Sequence, residues 1–239
     1  ENPLFDIEGM IYKSGDEIKM TTSSDHWVIN GYSWNVTPGD FLIMNSGGKD
    51  VQADLHLKND LSTIDIYGRS SELISIECSK LGLSMILVPG MNNLGYDGEF
   101  TGKIDYKGGT KTDIEARMDI DRIKMNQDTL GNMKITGRYQ ADTLGNTESS
   151  VNAVMNDSSV VKLNLRYGKN ADQRSINAEF SKLPLIVIGS LSSRYISDLE
   201  GKLGGRIDVK PVNGKPQIEG EIRVDNIGLK LVPVNARFY

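Results

Sequence analysis

Apolar and charged residues alternate one for one along most of this chain, which commits it to β-strand with one dry and one wet face. Phe100, Gly102, Ile104 and Tyr106 are interleaved with Thr101, Lys103 and Asp105. Ile114, Ala116, Met118 and Ile120 alternate with Glu115, Arg117, Asp119 and Asp121. The same beat runs through Val51 to Lys58, Val161 to Tyr167 and Lys202 to Lys210. A period of two sends successive side chains to opposite faces of a sheet. One greasy and one charged face is the mark of an antiparallel sheet wetted on one side. Turn chemistry at Asn30-Gly31, Gly47-Gly48-Lys49-Asp50, Gly108-Gly109, Leu144-Gly145-Asn146, Gly168-Lys169-Asn170 and Val212-Asn213-Gly214-Lys215 separates about sixteen expected strands. Helix is expected only over Leu81 to about Leu94 and Pro184 to about Ile196, as short helices or irregular plugs, with Pro89 limiting the first.

The pattern is also written twice. Ser79-Lys80-Leu81-Gly82-Leu83 returns as Ser181-Lys182-Leu183-Pro184-Leu185, and Gly102-Lys103-Ile104-Asp105-Tyr106 returns as Gly205-Arg206-Ile207-Asp208-Val209. Ile114-Glu115-Ala116-Arg117-Met118-Asp119-Ile120-Asp121 reappears as Ile218-Glu219-Gly220-Glu221-Ile222-Arg223-Val224-Asp225, roughly one hundred residues later. The expected organisation is the end of a preceding β unit over 1–38, a first repeat over 39–128 and a second over 129–239. No Pro/Gly/Ser linker intervenes, so one continuous sheet assembly is expected. Gly98, Gly102, Gly201, Gly205 and Gly220 fall in phase with the apolar face. Glycine there either lets the sheet curl or leaves room for a guest.

Composition narrows the function classes. Twenty-seven basic and 32 acidic residues give a net charge of −5 with both signs interspersed, so no electrostatic footprint for nucleic acid is present. The single Cys78 forbids an intramolecular disulfide and sits in a strand as a small half-buried residue. The longest apolar run, Met85 to Val88, is too short to cross a bilayer as a helix. The chain opens at Glu1-Asn2-Pro3 and closes at Phe238-Tyr239, and is expected to be an excised segment of something longer.

Catalytic constellations are missing. His26 and His56 are the only histidines, and neither has the Cys or second His that a zinc set needs. The pairs Asp119/Asp121 and Glu219/Glu221 stand on a solvent face, without the divergent environments of an acid/base couple. No nucleophile elbow, P-loop or dinucleotide fingerprint occurs. Trp27, Tyr32 and Trp34 read as aromatic cross-strand pairs of one hairpin rather than a stacking platform for sugar or base. Asn35-Val36-Thr37 and Asn156-Asp157-Ser158 match the glycosylation pattern, a weak signal. No enzyme activity, cofactor or metal is expected.

Tyr195 to Lys210, then Lys215 to Lys230, carry a D-L-x-G-x-L-x-G-x-I-x-V phrase, a K-P-x-I-x-G-x-I hairpin and a D-N-x-x-L-x-L strand. This resembles the C-terminal domain of the TamB family, the translocation and assembly module of diderm bacteria within the AsmA-like superfamily. The resemblance spans roughly residues 30 to 239 and covers both copies, although the earlier copy has Lys111-Thr112 where the family prefers Lys-Pro. The richness in Asn, Asp, Lys and Ile is similar to Bacteroidetes members.

The resemblance implies an all-β, elongated β-taco: an antiparallel sheet folded lengthwise around an apolar groove, with one or two short helices. It implies a protein of the periplasm, anchored in the inner membrane by a segment outside this chain. The implied work is phospholipid transport to the outer membrane and support of outer-membrane protein assembly and secretion. The implied partners are phospholipid acyl chains and a BamA-like outer-membrane barrel protein of the TamA type. Ile104, Tyr106, Met118, Ile120, Leu163, Leu165, Leu203, Ile207, Ile222, Val224 and Leu229 are the expected groove residues. Two rivals remain: a chaperone or scaffold for strands of outer-membrane barrels, and a structural β-sandwich stalk with a sealed interior.

Overall fold

A computed structural model of the chain describes residues 4–45, 51–70, 73–86, 96–125, 128–189, 196–212, 215–231 and 236–238. It is an all-β protein built of antiparallel strands, with two short α-helices among the described residues. Two compact units are present, Glu1–Thr143 and Leu144–Tyr239. They divide the chain by compactness, whereas the expected units divide it by repeat.

In the first unit β1 (Phe5–Asp6), β2 (Gly9–Ser14), β3 (Glu17–Thr22), β4 (His26–Ile29), β5 (Tyr32–Val36) and β6 (Phe41–Asn45) are short. The longer strands β7 (Val51–Asn59), β8 (Ser62–Ser70), β9 (Leu73–Gly82), β10 (Tyr96–Lys107), β11 (Thr112–Met125) and β12 (Asp128–Ala141) follow as an antiparallel meander. Their one-for-one alternation does this: each strand must lay its apolar residues beside those of its neighbours.

The outer edge of β7 is forked. Its first half pairs with β6, Met44 opposite Val51 and Phe41 opposite Asp54, and β6 continues to β3 and β2. Its second half pairs with β5, Val36 opposite Leu57, and β5 continues to β4 and β1. At the fork the backbone N–H of His56 is taken by the buried carboxylate of Asp40, which accepts it at 2.7 Å. The two limbs thus take successive halves of one edge. The β4–β5 hairpin reaches the short helix α1 (Leu83–Ile86) that follows β9, where Tyr32 donates to Ser84 Oγ at 3.0 Å and Asn30 to the Met85 carbonyl at 3.1 Å. Three strand spacings, about 14 Å, separate β5 from β9 along a flat sheet, so this contact requires strong curling.

The curl encloses the core of this unit: Trp27, Trp34, Val36, Leu55, Leu57 and Leu81, with Phe100 and Met85 packed against them. Trp27 lies opposite Trp34 and Ile29 opposite Tyr32, the cross-strand aromatic hairpin read from the sequence. Asn30 (φ 54°) and Gly31 (φ 78°) make its two-residue turn.

The second unit is a simpler meander of β13 (Thr147–Met155), β14 (Ser158–Tyr167), β15 (Ser175–Pro184), β16 (Ile196–Val212), β17 (Lys215–Leu231) and β18 (Ala236–Phe238). A 3-10 turn spans Ala171–Gln173 and the helix α2 spans Leu185–Gly189. Asn156 (φ 48°) and Asp157 (φ 64°) form the turn joining Met155 to Ser158, so that glycosylation-like triplet is a hairpin tip.

The internal repeat is real in three dimensions. Lys80 (φ 54°) and Lys182 (φ 51°) occupy the same left-handed position in their Ser-Lys-Leu phrases, and the ladder shifts register at both. Arg122 and Asn226, each with φ 53°, do the same two strands later. Register agrees as well: Ile76 faces Ile104 as Ala178 faces Ile207, and Tyr106 faces Ile114 as Val209 faces Ile218. The bulge bends the strand and frees its next residues for a turn of helix. Both helices begin one or two residues later than expected. The ladder still holds Leu81 opposite Phe100, and Ile196 belongs to β16 opposite Leu231. The rest of both expected helices, 87–94 and 190–195, lies outside the described residues, as do 46–50 and 213–214 in two of the expected turns.

Candidate functional site

The candidate site is the apolar face of each meander. In the first unit, pairing sets Leu57, Ile64, Cys78, Gly102, Met118 and Ile135 in one row across six strands. A parallel row holds Leu55, Ile66, Ile76, Ile104, Ala116 and Gly137. Ile120 lies between Phe100 and Met133, and Tyr106 between Ile74 and Ile114. In the second unit Val151, Leu163, Ala178, Ile207 and Gly220 form a row, flanked by Leu165, Ile176, Val209 and Ile218. Leu203 pairs with Val224 and Leu183, Ile222 with Gly205, and Leu229 with Phe238.

All eleven sequence-predicted groove residues are therefore on well-paired strands, four in the first unit and seven in the second. None is buried. Ile222 and Val224 are 46% and 40% exposed, and Ile104, Tyr106, Met118, Ile120, Leu163, Leu165, Leu203, Ile207 and Leu229 are half-buried. Met133 and Ile135 on β12 share the same face, equally half-buried, and were not singled out beforehand. Their alternation with Asn132, Lys134 and Thr136 was signal enough.

The opposite faces are charged and cross-linked. In the first unit Lys103 Nζ lies 2.9 Å from Glu77 and 3.4 Å from Asp105, and Arg138 grips Asp113 through two bonds of 2.7 and 3.1 Å. Hydrogen bonds from Tyr67 and then Lys103 hold the Glu77 carboxyl below its ordinary range, and those pairings raise the Lys103 ammonium. Arg138 lowers Asp113. In the second unit Arg206 lies 2.6 Å from Asp208 and, with Asn177, lowers it. Exposed pairs of this kind are screened by water and contribute little to stability. They mark this face as the wet one.

The in-phase glycines answer a backbone need. Gly205 (φ 127°) and Gly220 (φ 144°) face each other diagonally across β16 and β17, and a Cβ on either would strike a carbonyl oxygen of the other strand, Glu221 or Arg206. Close approach of backbone, rather than space for a guest, describes this pair.

Other candidates serve the fold. Cys78 is half-buried with its sulfur 3.6 Å from the Gly102 carbonyl, and burial pushes its thiol up, so it stays protonated at neutral pH. His56 lies beside Asp40 and Asp54 at 3.3 and 3.7 Å. Among the described residues no group of three or more His, Cys, Asp or Glu is placed to hold a metal ion, and no helix is long and apolar enough to cross a membrane. Two surface cavities, about 510 Å³ beside Arg166, Tyr167 and Arg174 and about 480 Å³ beside Phe41, Tyr67 and Leu73, touch none of the eleven groove residues. No protein-family model, curated protein or solved structure matches the chain.

Proposed function

We propose that this chain is a non-enzymatic, groove-forming segment of a TamB-like envelope protein that shields lipid acyl chains in transit. Its place is the periplasm of a diderm bacterium, within a protein anchored in the inner membrane outside this chain. Its cargo is phospholipid on the way to the outer membrane, and its partner there is a BamA-like barrel protein of the TamA type.

The observation that carries the reading is the half-open state of the aliphatic rows. Ile104, Met118, Leu163, Leu165, Leu203 and Ile207 stand in cross-strand register yet keep part of their surface accessible, while Lys103, Arg138, Arg206 and their acidic partners take the other face. A sealed sandwich would bury them. An acyl chain leaving a bilayer exposes methylenes at about 0.8 kcal/mol each, so solitary passage through water is very slow. Rows of aliphatic side chains remove most of that barrier through weak, non-directional contact, without a deep well to trap cargo.

The test is mass spectrometry of lipid retained by the natively purified chain, with Ile207→Asp and Ile222→Asp beside it. Retained phospholipid that falls several-fold in both variants, with unchanged circular dichroism, supports the reading. Wild-type protein free of lipid and unable to take it from vesicles contradicts it.

A further inference from the structure

Two aromatic side chains stand on a face that is otherwise polar. Phe41 of β6 and Tyr67 of β8 each lie directly opposite Asp54 of β7, so the three share one row and one face. Ala53, Leu55 and Leu57 alternate with Asp54 and are buried on the other side. Burial does not account for the two rings, since Phe41 is half-buried and Tyr67 is 37% exposed. With Gln52 and Leu73, the row lines the cavity of about 480 Å³. All five residues belong to the first unit.

The spacing suits a bulky cation. Adjacent strands lie about 4.8 Å apart, so the strands of Phe41 and Tyr67 are about 10 Å apart with Asp54 between them. A cation held over Asp54 would stand about 5 Å from each ring, inside the roughly 6 Å reach of a cation–π contact. Both rings already take cations from their flanks. Lys19 Nζ lies 5.5 Å from the centre of Phe41, and Lys103 Nζ lies 6.0 Å from the centre of Tyr67. These lysines belong to β3 and β10, outside the span from β6 to β8, and neither lines the cavity. Lys103 is held by Glu77 and Asp105 at 2.9 and 3.4 Å. Asp54 supplies the negative charge of the cleft, with His56 Nε2 3.7 Å away.

Two rings and one carboxylate discriminate among cations. A hard metal ion takes six or more oxygen ligands, or a shell of waters, and Asp54 is the one carboxylate among the described residues lining the cavity. A primary ammonium is compact and strongly hydrated, so it gains little by exchanging water for a ring. A quaternary ammonium spreads its charge over methyl groups, which is what an aromatic cleft accepts. We propose that the Phe41–Asp54–Tyr67 cleft binds a quaternary ammonium group of the choline kind, the rings taking the methyl groups and Asp54 the charge. The same group occurs on free solutes and on the head of phosphocholine lipids, and its recognition chemistry is shared. The cleft lies on the face opposite the aliphatic rows, so this inference does not rest on acyl-chain shielding.

The test titrates choline into the full isotope-labelled chain and follows amide chemical shifts. Saturable shifts centred on Phe41, Asp54 and Tyr67 are expected. The neutral alcohol in which carbon replaces the choline nitrogen should bind about tenfold more weakly, because it has the shape without the charge. Asp54→Asn and Phe41→Leu should each weaken choline binding about threefold or more, with unchanged circular dichroism. Tyr67→Phe keeps the ring while giving up the hydrogen bond to Glu77, and should retain binding. Flotation with phosphatidylcholine vesicles, beside phosphatidylglycerol vesicles, separates the two sources. Capture by phosphatidylcholine alone that is lost in Asp54→Asn assigns the lipid head, and choline binding without capture assigns a free solute. The proposal is overturned if neither choline nor phosphatidylcholine binds, if the neutral alcohol binds equally well, or if Asp54→Asn and Phe41→Leu leave the affinity unchanged.

Discussion

The strands β11 and β17 carry nearly the same words and live in different surroundings. Ile114, Met118 and Ile120 are half-buried and Ile123 is buried, whereas their counterparts Ile218, Ile222, Val224 and Ile227 are all exposed. The backbone does not explain it, because bulge and register agree in both copies. The neighbours do. On one side β11 has the full-length β12, and the face of its meander carries the Trp27–Trp34 hairpin folded onto α1. Alternation sets which face is apolar, and later elements decide whether that face becomes a core or stays available. That distinction underlies the proposed role of the open rows.

The largest expected effect breaks the closed region. Trp34→Ala should cost about 3–5 kcal/mol in urea unfolding of the first unit. Trp34→Phe should cost distinctly less, because the indole N–H is buried without a hydrogen-bond partner in the protein. The paired comparison comes next: Ile123→Ala should lose about 2–4 kcal/mol, and Ile227→Ala within about 0.5. Equal losses would mean that burial does not separate the two copies. Third, Gly205→Ala and Gly220→Ala should each destabilise the second unit by about 1–3 kcal/mol, since each combines a left-handed φ with a carbonyl clash. Hydrogen exchange confined to β16 and β17 would show it.

The smallest effect concerns pH. Glu77, Asp113 and Asp208 are held below their ordinary carboxylate range in the folded chain. Their contribution is therefore complete above that range and lost as pH falls through the lowered values. Chemical denaturation should report constant stability near neutrality and a shallow decline in acid, reduced by Asp113→Asn. A decline that begins above neutrality would not come from these groups.

Much of the fold was legible because each strand announces its own faces. Ala53, Leu55 and Leu57 are buried and Asp54, His56 and Lys58 are not, as their alternation says. The fork at β7 was not legible, since it depends on Asp40 meeting His56 across sixteen residues and on which half of one edge each limb takes. Residues 1–38, read as the end of a preceding unit, supply Trp27, Trp34 and Val36 to the core of the first unit. The eleven groove residues were legible as members of apolar faces. Their half-open state was not, because exposure depends on what covers a face rather than on its own pattern. The helix starts were placed too early, at Leu81 and Pro184, which belong to strands, because aliphatic runs after Ser-Lys-Leu look alike in helix and buried strand.

Photocrosslinking tests the central claim most directly. A photoreactive amino acid at Ile207, at Met118 and, as a wet-face control, at Lys103 would be irradiated in a native diderm envelope and the adducts read by mass spectrometry. The account predicts phospholipid adducts at Ile207 and Met118 and none at Lys103. Adducts confined to protein, or equal lipid labelling at all three positions, would contradict it.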